Sequence, residues 1–202
     1  MFESVVQSEA RKKSKTKILI VLLLINLCMF AAEAFFGWLS RSAGLIADSI
    51  GMLADAIVCA ISLSRVRRSL PFNSCAAYLS GGMQLTLGAA MMVEVLRRGL
   101  LSDEPDPIYM IFVSFVALLA NVACLSIITG SQERHEYLTA TWTGSKNDIL
   151  ANVGVIAAGG LVSLTASAVP DLLIGWLISA AVMRRGFLFI AKARKARGYQ
   201  LD

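Results

Sequence analysis

Histidine, cysteine and charged residues are scarce in this chain of 202 residues. It contains one histidine, four prolines and four cysteines, and only 16% of its residues are charged. A single histidine excludes a His-rich metal motif, and the cysteines form neither a C-x-x-C pair nor a disulfide framework. No P-loop, dinucleotide-binding fingerprint, nucleophile elbow or HExxH pattern occurs, so nothing in the sequence favours an enzyme.

Apolar residues are abundant instead. They make up 56% of the chain, a share too high for a single soluble core. They fall into runs of about 20 residues, the length that crosses roughly 30 Å of hydrocarbon. The pattern predicts an all-α integral membrane protein with six transmembrane helices, near residues 18–38, 44–63, 76–96, 108–128, 148–167 and 172–190.

The segments that flank these runs predict the division of the chain and its orientation. Residues 1–17 form a basic segment without the apolar core of a cleavable signal, residues 18–192 a six-helix transmembrane domain, and residues 193–202 a short basic tail. If the N-terminus is cytoplasmic, 16 of the 19 Lys and Arg residues lie on the inner side and three on the outer side. The positive-inside rule therefore predicts that both ends are cytoplasmic.

The basic residues on the inner side, which include Arg184 and Arg185, are interpreted as anchors that contact anionic lipid headgroups. They also explain the net charge of +5. Nucleic-acid binding would need a folded basic surface, which six membrane helices do not offer. We therefore expect a lipid bilayer, and no nucleic acid, as the partner of these charges.

Two aspartates stand in the second apolar run, in the stretch GLIADSIGMLADA. Asp48 and Asp55 are seven residues apart, so they lie two turns apart on one helix face. A charged side chain at the bilayer centre costs about 2.5 to 3.5 kcal/mol and usually marks an ion or proton path. Asp55 lies near the middle of the run. Asp48 lies near its start, where a position at the membrane interface is the alternative.

The fifth run carries a second polar group, in the stretch GSKNDILANVGV. Asp148 and Asn152 are four residues apart and share a helix face, and Asn147 adds a further oxygen. Asp148 would only cap the helix if the helix began there. The preceding stretch EYLTATWTG suits a membrane interface, and it predicts a helix start near residues 137–141 with Asp148 buried.

A family resemblance rests on the two stretches that carry these acids, NLCMFAAEAFFGWLSRSAGLIADSIGMLADAIVCAISL (26–63) and GSKNDILANVGVIAAG (144–159). They resemble the cation diffusion facilitator (cation efflux) family of six-helix divalent-metal/proton antiporters. The resemblance implies that the second and fifth helices each contribute two ligands, spaced four residues apart, to one metal ion. Asp55 and Asp148 match the second ligand of each pair, and Asp48 also fits the family pattern.

The chain departs from this pattern at the first ligand of each pair, which falls on Gly51 and Gly144. Neither glycine can coordinate a metal through a side chain, although water could fill the space above either one. A ligand restored at either position should strengthen zinc binding. The remaining candidate ligands offer only oxygen, a set that favours Mg²⁺, Mn²⁺ or Ca²⁺, whereas Zn²⁺ also takes nitrogen and sulfur ligands. These candidates are Asp48, Asp55, Asp148, Asn147 and Asn152.

Three further residues have candidate roles, and two of them have an alternative interpretation. Glu33, in AAEAFF, is a candidate proton carrier, because an unpaired carboxyl group inside the membrane is expected to bind a proton. Cys59 could add a sulfur ligand one turn after Asp55, with helix packing as its alternative role. His135 is interpreted as a solvated loop histidine, with metal capture on the cytoplasmic side as the alternative.

The sequence is compatible with two functions. In the first, the protein exports a divalent cation of the Zn, Co or Cd type in exchange for protons, with the metal as transported substrate and no tightly bound cofactor. In the second, it is a degenerate, non-transporting relative that serves as a membrane partner or scaffold subunit, its acids paired with Lys146 or with amides. The resemblance further implies a homodimer in the bacterial cytoplasmic (inner) membrane, from the short branch of the family that has no C-terminal domain.

Overall fold

A computed structural model describes residues 2–68, 74–101, 104–130 and 136–198. The regular structure of these residues is helical throughout, which suits a bilayer because a helix satisfies its backbone hydrogen bonds internally. The helices are α1 (Phe2–Leu39), α2 (Ala43–Arg67), α3 (Ser74–Leu101), α4 (Pro107–Gly130), α5 (Glu136–Thr165) and α6 (Val169–Gly198).

All six helices contain a stretch long and apolar enough to cross a membrane, which confirms the predicted fold class. Helix α1 begins at Phe2 and helix α6 ends at Gly198, so both are longer than the apolar runs they contain. The predicted boundaries after residues 17 and 192 therefore fall inside helices. The division of the chain into a transmembrane domain with two basic ends stays a prediction.

Helix α2 occupies the centre of the bundle. It packs against each of the other five helices, and 67% of its most apolar stretch is buried, against 28–33% for the others. The surrounding helices carry large apolar side chains that are mostly exposed, such as Phe112 (67%) and Leu164 (84%). Such side chains suit contact with lipid tails. The polar residues of α2 consequently lie in the most enclosed part of the protein.

The start of α2 is fixed by an aspartate from α6. Ser42 Oγ accepts a hydrogen bond from the Leu45 N–H (3.0 Å) and donates one to Oδ1 of Asp171 (2.6 Å). The Asp171 carboxylate also accepts hydrogen bonds from the N–H groups of Ala43 (2.5 Å) and Gly44 (2.9 Å). Because the free N–H groups at a helix start attract negative charge, this buried carboxylate stabilises the contact between α2 and α6.

Helices α3 and α6 approach each other closely through glycine. A Cβ atom at Gly81 would lie 2.8 Å from the carbonyl oxygen of Gly186, and a Cβ atom at Gly186 would lie 2.8 Å from that of Gly81. Residues without a Cβ atom permit such backbone contact between membrane helices. By contrast, a Cβ atom at Gly82 would meet no described neighbour within 4 Å. The contact fixes the position of α6 against α3, and therefore the position of Arg185, the residue before Gly186.

Candidate metal-transport site

The predicted acids of α2 and α5 meet inside the bundle. Asp55 and Asp148 both contact Arg185 of α6, whose Nη1 lies 3.0 Å from Oδ1 of Asp55 and 3.9 Å from Oδ1 of Asp148. The side chains are 4%, 5% and 8% exposed, respectively. Charged groups this deeply buried are stable when they are paired. The two carboxylates therefore share one internal cation.

The structure decides between the alternatives for Asp148. Helix α5 begins at Glu136, next to the predicted start, so the predicted helix start is confirmed and the role of Asp148 as an N-cap is wrong. Asp48 is fully buried in the bundle, and its depth in the membrane stays a prediction. Both acids lie within the helix bundle, as a shared site requires.

The structure corrects the interpretation of Arg185 as a lipid anchor. Arg184 is exposed, as an anchor should be, whereas Arg185 is only 7% exposed and points at the acids. One signal in the sequence indicates this difference. Arg185 follows the apolar residues Ile178 and Val182 by seven and three positions, which places all three on one helix face, and the structure shows that this face is buried.

Both glycines at the missing ligand positions face an acid. A Cβ atom at Gly51 would lie 3.6 Å from Oδ1 of Asp148 and 4.0 Å from Oδ1 of Asp48, so a side chain could be added there in ordinary contact. A Cβ atom at Gly144 would lie 2.6 Å from Cγ of Asp55. The expectation of water above Gly144 is therefore wrong, because the Asp55 carboxylate fills that space. A ligand restored at position 144 would displace Asp55, whereas position 51 remains open.

A second pair of acids lies beside the first. Glu33 of α1 and Asp48 of α2 are both fully buried, and their carboxyl groups interact with each other. Their four carboxyl oxygens have no well-aligned hydrogen-bond partner among the described residues. Buried polar atoms without a partner call for a proton, an ion or water. The role of Glu33 as a proton carrier stays a prediction.

The two asparagines lie in different surroundings. The side-chain nitrogen of Asn152 donates a hydrogen bond to the backbone oxygen of Asp148 (2.8 Å), and its buried Oδ1 has no partner in the described part of the chain. Asn147 is half-buried and lines a cleft of about 200 Å³ between α2, α5 and α6. Gly51, Asp148 and Arg185 also line this cleft, whose remaining lining is apolar, so an open space adjoins Asp148.

The acids do not form a ready-made metal centre. Within residues 2–68, 74–101, 104–130 and 136–198, no three His, Cys, Asp or Glu side chains converge on a point that could hold a metal ion. Sγ of Cys59 lies 3.8 Å from Oγ1 of Thr141, which agrees with a packing role, and His135 lies outside the described residues. The metal-ligand role of each candidate residue stays a prediction.

The cation that pairs with the acids is Arg185, so the pairing with Lys146 that the non-transporting alternative included is wrong. Nζ of Lys146 lies 3.8 Å from the centre of the Trp142 ring. This cation–π contact holds an exposed lysine against an aromatic side chain. Lys146 therefore suits the membrane interface, and Arg185 alone contacts Asp55 and Asp148 among the described basic residues.

Comparison with known proteins identifies relatives of this chain. The sequence model of the cation efflux transmembrane domain matches residues 19–195. The chain belongs to the cation efflux family. Similar relatives include the zinc transporter ZitB of Yersinia pseudotuberculosis serotype I (strain IP32953) and the zinc transporter ZitB of Yersinia pestis. Each is 25% identical over 193 residues, which cover 89% of this chain and 62% of the relative, so the chain spans less than two thirds of their length.

Membership in the cation efflux family confirms the resemblance drawn from the sequence. Together with six membrane-length helices, it establishes an integral membrane protein. Cation efflux proteins are transporters and not enzymes, in keeping with the absence of enzyme motifs. In this cation efflux protein, the two glycines at the first ligand positions each face an acid that matches a second ligand position: Gly51 faces Asp148, and Gly144 faces Asp55.

Proposed function

We propose that this cation efflux protein carries a divalent metal cation across the membrane, with Asp55 and Asp148 as its main ligands. The observation that carries the proposal is the meeting of these two carboxylates, from α2 and α5, inside the bundle. Carboxylates bind divalent cations, and ionisable residues at this depth usually mark an ion path. Zn²⁺ is the first candidate, because the two relatives are named zinc transporters.

The proposed direction is export from the cytoplasm. Asp148 lies in the N-terminal half of α5 and Arg185 in the C-terminal half of α6, and the positive-inside rule assigns both halves to the cytoplasmic side. The cation would reach the acid pair from that side. A rocking movement of the helices would then expose the cation to the outside, as alternating access requires.

Proton exchange is the proposed driving force. A carboxylate must lose its proton before it binds a metal, so protons and metal compete for Asp55 and Asp148. Protons that enter from outside would release the cation and neutralise the carboxylates for the return movement. Glu33, which is buried beside Asp48, is the proposed proton carrier between this site and water.

The proposed setting is a homodimer in the bacterial inner membrane, with anionic headgroups as lipid partners of the basic helix ends. The homodimer rests on the family resemblance, and the inner membrane on the bacterial source of the relatives. Exposed basic residues such as Arg67, Arg68 and Arg184 support the lipid contacts.

A second function is favoured by one observation, the ion pair between Arg185 and Asp55. If the guanidinium group permanently neutralises the acids, the protein needs no metal. It would then be a non-transporting relative that acts as a membrane partner or scaffold subunit. The two functions differ in a single measurable property, which is cation flux.

Flux through the purified protein in proteoliposomes tests the proposal. Vesicles that enclose a metal-sensitive dye are exposed to Zn²⁺, Cd²⁺, Co²⁺, Mn²⁺ or Fe²⁺, with and without an acidic interior. We expect uptake of at least one of these cations, with a faster rate when the interior is acidic. If no cation enters faster than into protein-free vesicles, the transport function is wrong and the scaffold function remains.

A further inference from the structure

Arg185 is the one described basic residue in contact with the acid pair, and it lacks well-aligned hydrogen bonds to that pair. Nη1 lies at ion-pair distance from Asp55, but neither Nη1 nor Nη2 has a well-aligned hydrogen-bond partner in the described part of the chain. A guanidinium group holds a carboxylate most firmly through two parallel hydrogen bonds. Arg185 makes no such fork with Asp55 or Asp148. Its attachment is therefore largely Coulombic, and another cation can replace it.

A cleft lies beside the Arg185 side chain. Arg185 lines the cleft of about 200 Å³ together with Gly51, Asn147 and Asp148, and the rest of the lining is apolar, as at Ile174, Leu177 and Ile178. Asp48 is close enough to interact electrostatically with Arg185, and both of its carboxyl oxygens are without a well-aligned partner among the described residues. A guanidinium that leaves the acid pair would thus keep a carboxylate neighbour.

We propose that Arg185 is an internal competitor of the transported metal, a tethered cation that occupies the Asp55–Asp148 site until a divalent cation displaces it. This inference rests on the proposed transport function. The acid pair carries two negative charges when ionised, and Arg185 compensates one of them. A divalent cation compensates both charges, whereas a monovalent cation gains no charge over the guanidinium already present. Arg185 thereby favours divalent over monovalent cations and lowers the affinity of the site, which eases release of the metal.

Metal binding by matched arginine variants tests the proposal. Arg185→Gln removes the competitor, and Arg184→Gln makes the same change at the neighbouring exposed residue. Equilibrium binding of Cd²⁺ alone to the purified full chain in detergent is measured at constant pH and ionic strength. We expect the dissociation constant of Arg185→Gln to be about tenfold or more lower than that of the wild type, because a competing charge next to the ligands has gone. Arg184→Gln should match the wild type.

A second measurement uses the wild type and does not depend on the folding of a variant. Phenylglyoxal modifies accessible guanidinium groups, and mass spectrometry of the peptide with both arginines compares Arg185 with Arg184. Saturating Cd²⁺ should increase modification of Arg185 relative to Arg184, since the displaced guanidinium enters the cleft. If modification of Arg185 stays constant or falls on saturation, the proposal is wrong.

The outcomes separate this inference from the transport function. If the wild type binds Cd²⁺ and Arg185→Gln binds it equally or more weakly, the tethered-cation role is wrong and the transport function is untouched. If Arg185→Gln alone binds Cd²⁺, the guanidinium group holds the site permanently, so both its displacement by metal and transport by the wild type are contradicted. If neither protein binds Cd²⁺ or Zn²⁺, both proposals are wrong.

Discussion

Alanine at Gly144 should separate the acid pair, while the same change at Gly51 should leave the pair in place. The two glycines stand at equivalent positions of the family pattern, on α5 and α2. A Cβ atom at position 144 would lie 2.6 Å from Cγ and 2.8 Å from Oδ1 of Asp55, so the carboxylate must move. A Cβ atom at position 51 would lie no closer than 3.6 Å to Asp148.

The expected changes in the free energy of unfolding have opposite signs in the two variants. Replacement of glycine by alanine inside a helix stabilises it by about 1 kcal/mol. At position 144 this gain is opposed by the loss of the 3.0 Å contact between Asp55 and Arg185. Breaking a buried ion pair costs about 3 to 5 kcal/mol. We therefore expect Gly144→Ala to destabilise the protein by about 2 to 4 kcal/mol and Gly51→Ala to stabilise it by up to about 1 kcal/mol.

Thermal unfolding of both variants in one detergent, followed by tryptophan fluorescence, gives the comparison. Gly144→Ala should unfold below the wild-type temperature and lose affinity for Cd²⁺, because Asp55 no longer faces Asp148. Gly51→Ala should unfold at or above the wild-type temperature. Equal unfolding temperatures for the two variants would refute the described packing of Asp55 against Gly144.

Three other predictions concern orientation and packing. In a cysteine-free background, an impermeant thiol reagent added to intact cells should label Glu104→Cys and spare Glu9→Cys, and the reverse pattern would invert the topology. Gly186→Ala should lower the unfolding temperature, because its Cβ meets the backbone of α3, whereas Gly82→Ala, with open space around it, should not. Asp171→Asn should cost about 1.5 to 3 kcal/mol, because the N–H groups at the start of α2 lose a charged acceptor, and unchanged thermal stability would contradict this role.

Much of the fold could be predicted because the bilayer imposes a simple length rule. Apolar runs of about 20 residues predict spans, and the six described helices contain them. The position of Asp55 and Asp148 within such runs indicated that each acid needs a partner or a path, and the family resemblance implied that they meet. Helix ends were harder to predict from the sequence. Helix α1 begins well before its apolar run, at Phe2, because polar residues can continue a helix beyond the membrane.

Contacts between distant parts of the chain could not be predicted from one sequence. Asp171 lies 129 residues from Ser42 in the chain, and no local pattern links the two residues. Arg184 and Arg185 are adjacent residues of the same type, and only the position of Arg185 on the buried face of α6 distinguishes them. The clearance around Gly51 and Gly144 depends on how α2 and α5 pack, so spacing alone could not reveal which position is open.

Cation flux through two single variants tests transport by the acid pair most directly. Asp55→Asn and Asp148→Asn keep the shape and one oxygen of each side chain but remove the charge that binds metal. Asp106→Asn serves as a control, because this residue caps α4 through an N–H contact and lies far along the chain from both acids. In proteoliposomes that contain equal amounts of folded protein, we predict background uptake of Zn²⁺ or Cd²⁺ for the two site variants and wild-type uptake for the control. Wild-type uptake by both site variants would contradict a transport role for Asp55 and Asp148.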